Sequence, residues 1–210
     1  MDRAAIDEKR KDKIPYEYNR ELFKKCNPEE IYKRTGCKYN SDSNEFVVKL
    51  MGTKYIVKFP SGEILNQDYS EVNNYPLKTL ILRYLINSKK VPATNKYITY
   101  RDVSGGNVYY NNFYGRCIFR LSRTFGNKLD KFKEALESLG AEKIDMGDAA
   151  YKFEFIDNVY LVFAIWSGDE EFSPSAQILF DGNISFYFTA EDLAFVGEIA
   201  IAKLKELSNK

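Results

Sequence analysis

Carboxylates gather where an apolar run of the sequence ends. Three consecutive acids, residues 169–171, follow the apolar run Val159–Trp166, and Asp148 and Asp181 border neighbouring predicted strands. Oxygen ligands of this kind can hold a hard cation such as Mg²⁺ or Ca²⁺. One member can also act as a general acid or base if crowding raises its pKa. The spacing is not that of an EF-hand loop, so a solvated acidic loop is the competing interpretation.

Three arginines form the second unusual group. Arg116, Arg120 and Arg123 are spaced by four and three residues in a predicted helix that contains no acid. This spacing places them on one helix face, and their forked donors suit carboxylates or phosphates. Two partners are open: the acidic loops of the C-terminal half, or a bound anionic ligand.

The distribution of charge along the chain favours contact between the arginines and the acids. Residues 141–210 carry a net charge of −8 and residues 1–140 a net charge of +9, so the halves are complementary. A buried, unpaired arginine would cost several kcal/mol. We therefore expect Arg116 or Arg120 within reach of the acids, or a pocket in any gap between them. The candidate ligand-binding residues are Tyr100, Arg116, Arg120, Asp148, Trp166, Asp169, Glu170 and Asp181.

Histidine is absent from the 210 residues, which removes the side chain used by most zinc sites, nucleophilic triads and neutral-pH general bases. Three cysteines are too few for an all-cysteine zinc site, and none forms a C-x-x-C pair. Any catalysis would therefore have to use a carboxylate, Lys, Tyr or Arg side chain, with or without an oxygen-ligated metal ion. No catalytic residue or metal ligand is assigned, and the cofactor is unknown.

Hydrophobic periodicity defines the elements that position these residues. Aromatic residues alternate from 151 to 155, and Val159–Trp166 is apolar throughout, as in a central strand covered on both faces. We predict one α+β domain with an antiparallel sheet packed by helices. The predicted C-terminal elements are strands at 151–155, 159–166 and 176–180 and helices at 114–125, 128–139 and 189–207.

The N-terminal part is predicted to add helices and two hairpins. Ser104-Gly105-Gly106 and the Phe59-to-Gly62 segment are interpreted as turns between strands, because neither leads from a strand into a helix as a phosphate-binding loop does. A flexible charged segment, residues 1–14, is expected to precede a single domain over 15–210. The predicted elements are helices at 15–25, 28–34 and 76–87 and hairpins at 45–59 and 97–110.

Several segments resemble an uncharacterised bacterial and archaeal family, the domain-of-unknown-function family 3786, common in anaerobes. They are Phe59-Pro60-Ser61-Gly62, Tyr100-Arg101 through Gly106, Gly147-Asp148, and W-S-G-D-E-E-F-S-P-S-A-Q-I-L-F-D from Trp166 to Asp181 with E-D-L at 191–193. The resemblance implies a link to corrinoid and one-carbon metabolism. Some relatives carry an iron–sulfur segment, whose four cysteines this chain lacks.

Function remains open between three classes at this level. We expect a cytoplasmic ligand-binding or accessory protein, since the N-terminus has no apolar run and no stretch is long enough to cross a membrane. The alternatives are a carboxylate-based, Mg²⁺-dependent hydrolase or lyase, and a protein-interaction module. The expected partner is a small anionic ligand or a protein, with neither nucleic acid nor membrane involved.

Overall fold

The computed structural model describes residues 11–209, whose contacts form two units that divide after Lys90. Residues 1–10, most of the segment expected to be flexible, lie outside the described residues. Both units pair their strands antiparallel and pack helices on them, so the predicted α+β fold is confirmed. Within residues 11–209, no helix is long and apolar enough to cross a membrane.

The first unit combines helices with a small antiparallel sheet. Its elements are helices α1 (Lys13–Phe23), α2 (Pro28–Thr35) and α3 (Tyr75–Asn87), and strands β1 (Lys38–Asn40), β2 (Glu45–Leu50), β3 (Thr53–Lys58) and β4 (Ile64–Asn66). The strands pair in the order β1-β2-β3-β4. β2 and β3 form the first predicted hairpin, which turns at Met51 and Gly52, both with positive φ, as two-residue hairpin turns require.

Local sequence sets the helix ends of this unit. Asn27 caps α2 by accepting hydrogen bonds from the backbone N–H groups of Glu29 and Glu30, and Gly36 closes the helix in the left-handed conformation, as expected. Asn74 caps α3 in the same way. The cap fixes the residue at which α3 starts. The buried stripe of α3 includes Lys78.

The second unit contains a five-strand antiparallel arrangement within residues 91–209. Its strands are β5 (Tyr97–Thr99), β6 (Glu142–Lys143), β7 (Ala149–Ile156), β8 (Val159–Trp166) and β9 (Ser175–Asp181), and its α-helices are α4 (Gly106–Phe113), α5 (Phe119–Phe125), α6 (Leu129–Glu137) and α7 (Ala190–Leu207). The pairing order is β6-β7-β8-β9-β5. β8 is buried along most of its length, which confirms it as a central strand.

The predicted C-terminal helices are confirmed. Thr189 and Asp192 form a capping box at the start of α7, and the stripe that includes Leu193 and Leu204 is buried. Gly140, with a φ of 71°, follows α6 in the left-handed conformation. The helix predicted over 114–125 is also present, but its first part, Tyr114–Ile118, is a π-helical segment between α4 and α5.

The predicted hairpin over 97–110 is wrong beyond its first strand. Residues 106–113 are helical, and Gly105 and Gly106 stand at the start of α4, where a side chain on Gly106 would collide with the carbonyl oxygen of Tyr100. The Gly-Gly pair thus leads into a helix rather than between strands. A long-range packing contact favours this arrangement: the rings of Tyr100 and Phe113 stack with centroids 3.9 Å apart.

Candidate functional site

Asp181, one of the predicted site residues, is a fully buried carboxylate with four donors. Its Oδ1 accepts from the backbone N–H of Thr94 at 2.8 Å, the Thr94 hydroxyl at 2.9 Å and the N–H of Asn183 at 3.0 Å, and its Oδ2 accepts from the N–H of Asn95 at 2.7 Å. Burial alone would raise the pKa of Asp181, but these hydrogen bonds hold it below the usual value. The carboxylate therefore fixes the segment before β5.

The predicted acidic loop closes on itself. The Asp148 carboxylate accepts from the N–H of Ser167 at 2.7 Å, and Asp169 accepts from the N–H groups of Glu171 and Phe172 at 2.9 and 2.7 Å. Hydrogen bonds from those two N–H groups lower the pKa of the exposed Asp169. These acids order the turns that follow β8.

Two neighbours complete this loop. Glu170 is exposed, and the Trp166 indole lies against Gly147, where an added Cβ would stand 3.1 Å from the ring. In the part of the chain that the structure describes, no group of three or more acids and cysteines is arranged to hold a metal ion. A general-acid role would need a raised pKa, whereas the pKa values of Asp169 and Asp181 are lowered.

Arg116 has a partner other than those expected. Its Nε and Nη2 bind the two carboxylate oxygens of Glu198 on α7 at 3.0 and 2.6 Å, and its guanidinium lies over the ring of Phe195 at 4.7 Å. Hydrogen bonding to Glu198 raises the pKa of Arg116. The partner does come from the acidic C-terminal half, but from a helix rather than a loop. Arg120 is exposed.

The eight predicted residues are therefore not assembled into one polar cluster. Among residues 11–209, no hydrogen bond or ion pair joins Arg116 or Arg120 to the four acids proposed for them. Tyr100 is 2 % exposed and donates its hydroxyl to the carbonyl oxygen of Ala190 at 2.8 Å, so it offers no open edge to a ligand. Ligand binding at these positions stays a prediction.

A polar cleft in the first unit was missed by sequence reasoning. We name it the Lys78 cleft; its volume is about 680 Å³, within the range of small-molecule sites. It is formed by α1, the turn before β4, the segment after β4, and α3. Its lining residues are Lys13, Tyr16, Glu17, Arg20, Ser61, Glu63, Ile64, Leu65, Tyr69, Glu71, Tyr75 and Lys78.

Lys78 is the unusual member of this lining. It is only 6 % exposed, and its ammonium lies 5.2 Å from the ring centroid of Tyr16 and 4.9 Å from that of Tyr75. The Glu71 carboxylate, which is 68 % exposed, stands 3.8 Å from the Lys78 Nζ. Lysine is almost never this buried unless it is paired. The cleft thus carries a largely desolvated cation held over two aromatic faces.

The rim of the cleft is fixed by hydrogen bonds between α1 and the turn before β4. Tyr16 donates its hydroxyl to the Gly62 carbonyl oxygen at 2.9 Å, and burial raises the pKa of Tyr16 to about 12, so it stays protonated. Arg20 donates from Nε to the Ser61 carbonyl oxygen at 2.7 Å and pairs with Glu17 at 3.0 Å. The geometry of the cleft is therefore preformed.

One sequence signal could have pointed here. Lys78 interrupts the apolar helix LKTLILRYLI at a position one turn from Ile81, on the buried stripe of α3. A charge on a buried stripe costs free energy unless the fold compensates for it. The other lining residues come from separate segments and carry no pattern of their own.

Comparison with known proteins yields one match. A family model described as Domain of unknown function (DUF3786) matches residues 27–203. No curated protein and no solved structure is significantly similar to the chain. The match begins after α1, just before α2, and extends through the rest of the first unit and the second unit as far as Lys203 near the end of α7.

Proposed function

Because the chain belongs to the family of domain of unknown function 3786, which brings no activity with it, we propose a function from the geometry: binding of a small molecule that carries a carboxylate or phosphate group. The ligand would occupy the Lys78 cleft, with its anionic group on the Lys78 ammonium. The protein would then act as a cytoplasmic ligand-binding or accessory module. The single observation that carries this proposal is the buried Lys78 ammonium in the wall of an open cleft.

The Lys78 ammonium lies in the wall of the cleft, where a ligand can reach it. The Glu71 carboxylate, 3.8 Å away and 68 % exposed, is a solvent-screened neighbour of this ammonium. A ligand anion that enters the cleft can approach the ammonium to hydrogen-bond distance and displace the Glu71 carboxylate. Because the ammonium is already largely desolvated, the new charge pair would form in a medium of lower effective dielectric, where the attraction is stronger than in bulk water.

The aromatic walls add orientation to this attraction. Tyr16 and Tyr75 contact each other with ring centroids 5.7 Å apart, and the Lys78 ammonium lies against both rings. A side chain already held in its bound position loses little conformational entropy when the ligand arrives. Ile64 and Leu65, also in the lining, would contact an apolar part of the ligand.

A thermal-shift panel tests the proposal. The probes are inorganic phosphate, acetate, di- and tricarboxylates, nucleoside monophosphates and a corrinoid, the last because the family resemblance implies that metabolism. MgCl₂ is added to test the enzyme alternative. A ligand present at 100 times its Kd would stabilise the fold by about 2.7 kcal/mol. We expect one class of anion to raise the Tm of the wild type. The same anion should not raise the Tm of Lys78→Met above its value without ligand. Stabilisation by Mg²⁺ alone, or an equal shift in both proteins, would contradict the proposal.

A further inference from the structure

A second surface combines exposed aromatic side chains with arginines. We name it the arginine–aromatic face; it lies along α4, the π-helical segment and α5 in the second unit. Val108 is 83 % exposed, and Tyr109, Tyr114 and Phe119 are about half exposed. The face consists of Arg101, Val108, Tyr109, Tyr110, Tyr114, Phe119, Arg120 and Arg123. Large apolar side chains that are exposed along one continuous helical stretch, residues 106–125, indicate an interaction site.

The charge of this face is positive. Residues 101–129 contain five basic side chains and one acid, Asp102. Arg116 is neutralised by Glu198, but within residues 11–209 no carboxylate forms an ion pair with Arg120 or Arg123. Two arginines therefore remain available to an acidic partner.

Aromatic rings hold the arginines in place. The Arg101 guanidinium lies 3.7 Å from the ring centroid of Tyr110, which in turn contacts Tyr114 at 6.2 Å, and Arg123 lies 5.6 Å from that of Phe119. A guanidinium that stacks through its face keeps its N–H edges for hydrogen bonds to carboxylates. Arginine and tyrosine are also the residues that most often dominate the energy of protein interfaces.

The same arrangement disfavours nucleic acid as the occupant. The Arg101 guanidinium covers one face of the Tyr110 ring, and the Arg123 guanidinium lies near the Phe119 ring, so these two rings have fewer open faces on which bases could stack. Val108 is aliphatic and provides no stacking surface. A partner that complements the face needs carboxylates beside apolar side chains, which an acidic amphipathic helix provides.

We propose that the arginine–aromatic face docks an acidic amphipathic helix of a protein partner. From residue 108 to residue 123 the face extends roughly 22 Å at 1.5 Å per residue, which matches about four turns of a docked helix. The opposite side of these helices is buried through Phe113, Cys117 and Leu121, so the docking face is supported by the core. This inference is independent of the ligand proposed for the Lys78 cleft.

Fluorescence anisotropy with a defined peptide tests it. The probe is a fluorescein-labelled helix of about four turns with Leu at i, i+3, i+4 and i+7 spacing and Glu elsewhere. We expect saturable binding that weakens at least about tenfold in Arg120→Glu and in Phe119→Ala, and that weakens in 0.5 M NaCl because screening reduces the attraction between charges. Lys143→Glu, an exposed charge reversal on β6, is the matched control and should bind as the wild type does.

Three results would overturn the inference. They are no binding of the acidic peptide, equal binding of a peptide with Lys in place of Glu, and tighter binding of a fifteen-nucleotide single-stranded DNA than of the peptide. Arg120 is exposed and makes no ion pair within the described residues. Its reversal should therefore leave the Tm unchanged, and a folded Arg120→Glu protein that binds as the wild type does would also refute the proposal.

Discussion

Replacement of the buried carboxylate of Asp181 should lower the stability of the second unit. In Asp181→Asn, the amide oxygen can still accept from Thr94 and Asn183, but the amide nitrogen faces the N–H of Asn95, which donated at 2.7 Å. One charge-assisted hydrogen bond is lost and the others become neutral. Hydrogen bonds to charged groups contribute about 1.5–3 kcal/mol each, so we expect a loss of about 3 kcal/mol in the free energy of unfolding.

The pH dependence of the loss gives a second test. The hydrogen bonds hold the folded pKa of Asp181 below its unfolded value, which is near 4. The carboxylate therefore contributes its full stability above about pH 4, and this contribution is lost as the pH falls through the folded pKa. The difference in stability between wild type and Asp181→Asn should stay constant from pH 5 to pH 8 and shrink towards pH 3.

Urea unfolding followed by the fluorescence of the single tryptophan, Trp166, measures both effects. Asp145→Asn, an exposed acid on the loop before β7, is the control and should change the free energy of unfolding by less than about 0.5 kcal/mol. A loss below 1 kcal/mol for Asp181→Asn at pH 7, or a difference that grows on acidification, would refute the reasoning.

Two further changes test the packing of α7 against the π-helical segment. In Gly197→Ala, the new Cβ would stand 2.6 Å from the Sγ of Cys117, so we expect a loss of about 1–3 kcal/mol by urea unfolding. Adding Cys117→Ala should recover part of that loss, whereas simple additivity would contradict the proposed clash. Glu198→Gln breaks the bidentate pair with Arg116 and should lower stability by about 1 kcal/mol in low salt and by less in 1 M NaCl; no salt dependence would argue against an electrostatic role.

Patterns confined to one segment predicted the structure well. Strands β7, β8 and β9 were predicted from their alternating or continuous apolar residues, and the start of α7 was predicted from its capping box at Thr189. The left-handed Gly140, three residues after the last residue of α6, followed from the one residue type that readily takes this conformation. These features are determined by contacts over a few residues, which a sequence displays directly.

Features that depend on distant contacts were not predictable in this way. The start of α4 depends on two contacts with Tyr100. Its carbonyl oxygen leaves no room for a side chain at Gly106, and its ring stacks on that of Phe113, thirteen positions later. Arg116 finds its partner 82 positions away on α7, and three of the four donors to Asp181 lie 86 and 87 positions before it. Residue type indicated that these charges need partners, but not which partners the fold supplies.

The Lys78 cleft was missed for a related reason. Its lining residues come from three segments, 13–20, 61–71 and 75–78. The sequence of each segment is typical of an ordinary helix or turn. Only the charge on the buried stripe of α3 departs from the pattern of its own segment. The position of Lys78 on an otherwise apolar helix face is visible in the sequence itself.

The most direct test of the ligand-binding proposal is a comparison of stability and affinity in Lys78→Met. Methionine keeps an unbranched side chain of similar size at position 78, so the variant should remain folded, which urea unfolding checks. Calorimetric titration with the panel anion that gives the largest thermal shift should show affinity at least tenfold weaker, or about 1.4 kcal/mol. Lys54→Met, an exposed change on β3, should bind as the wild type does. Unchanged affinity in Lys78→Met would contradict the proposal.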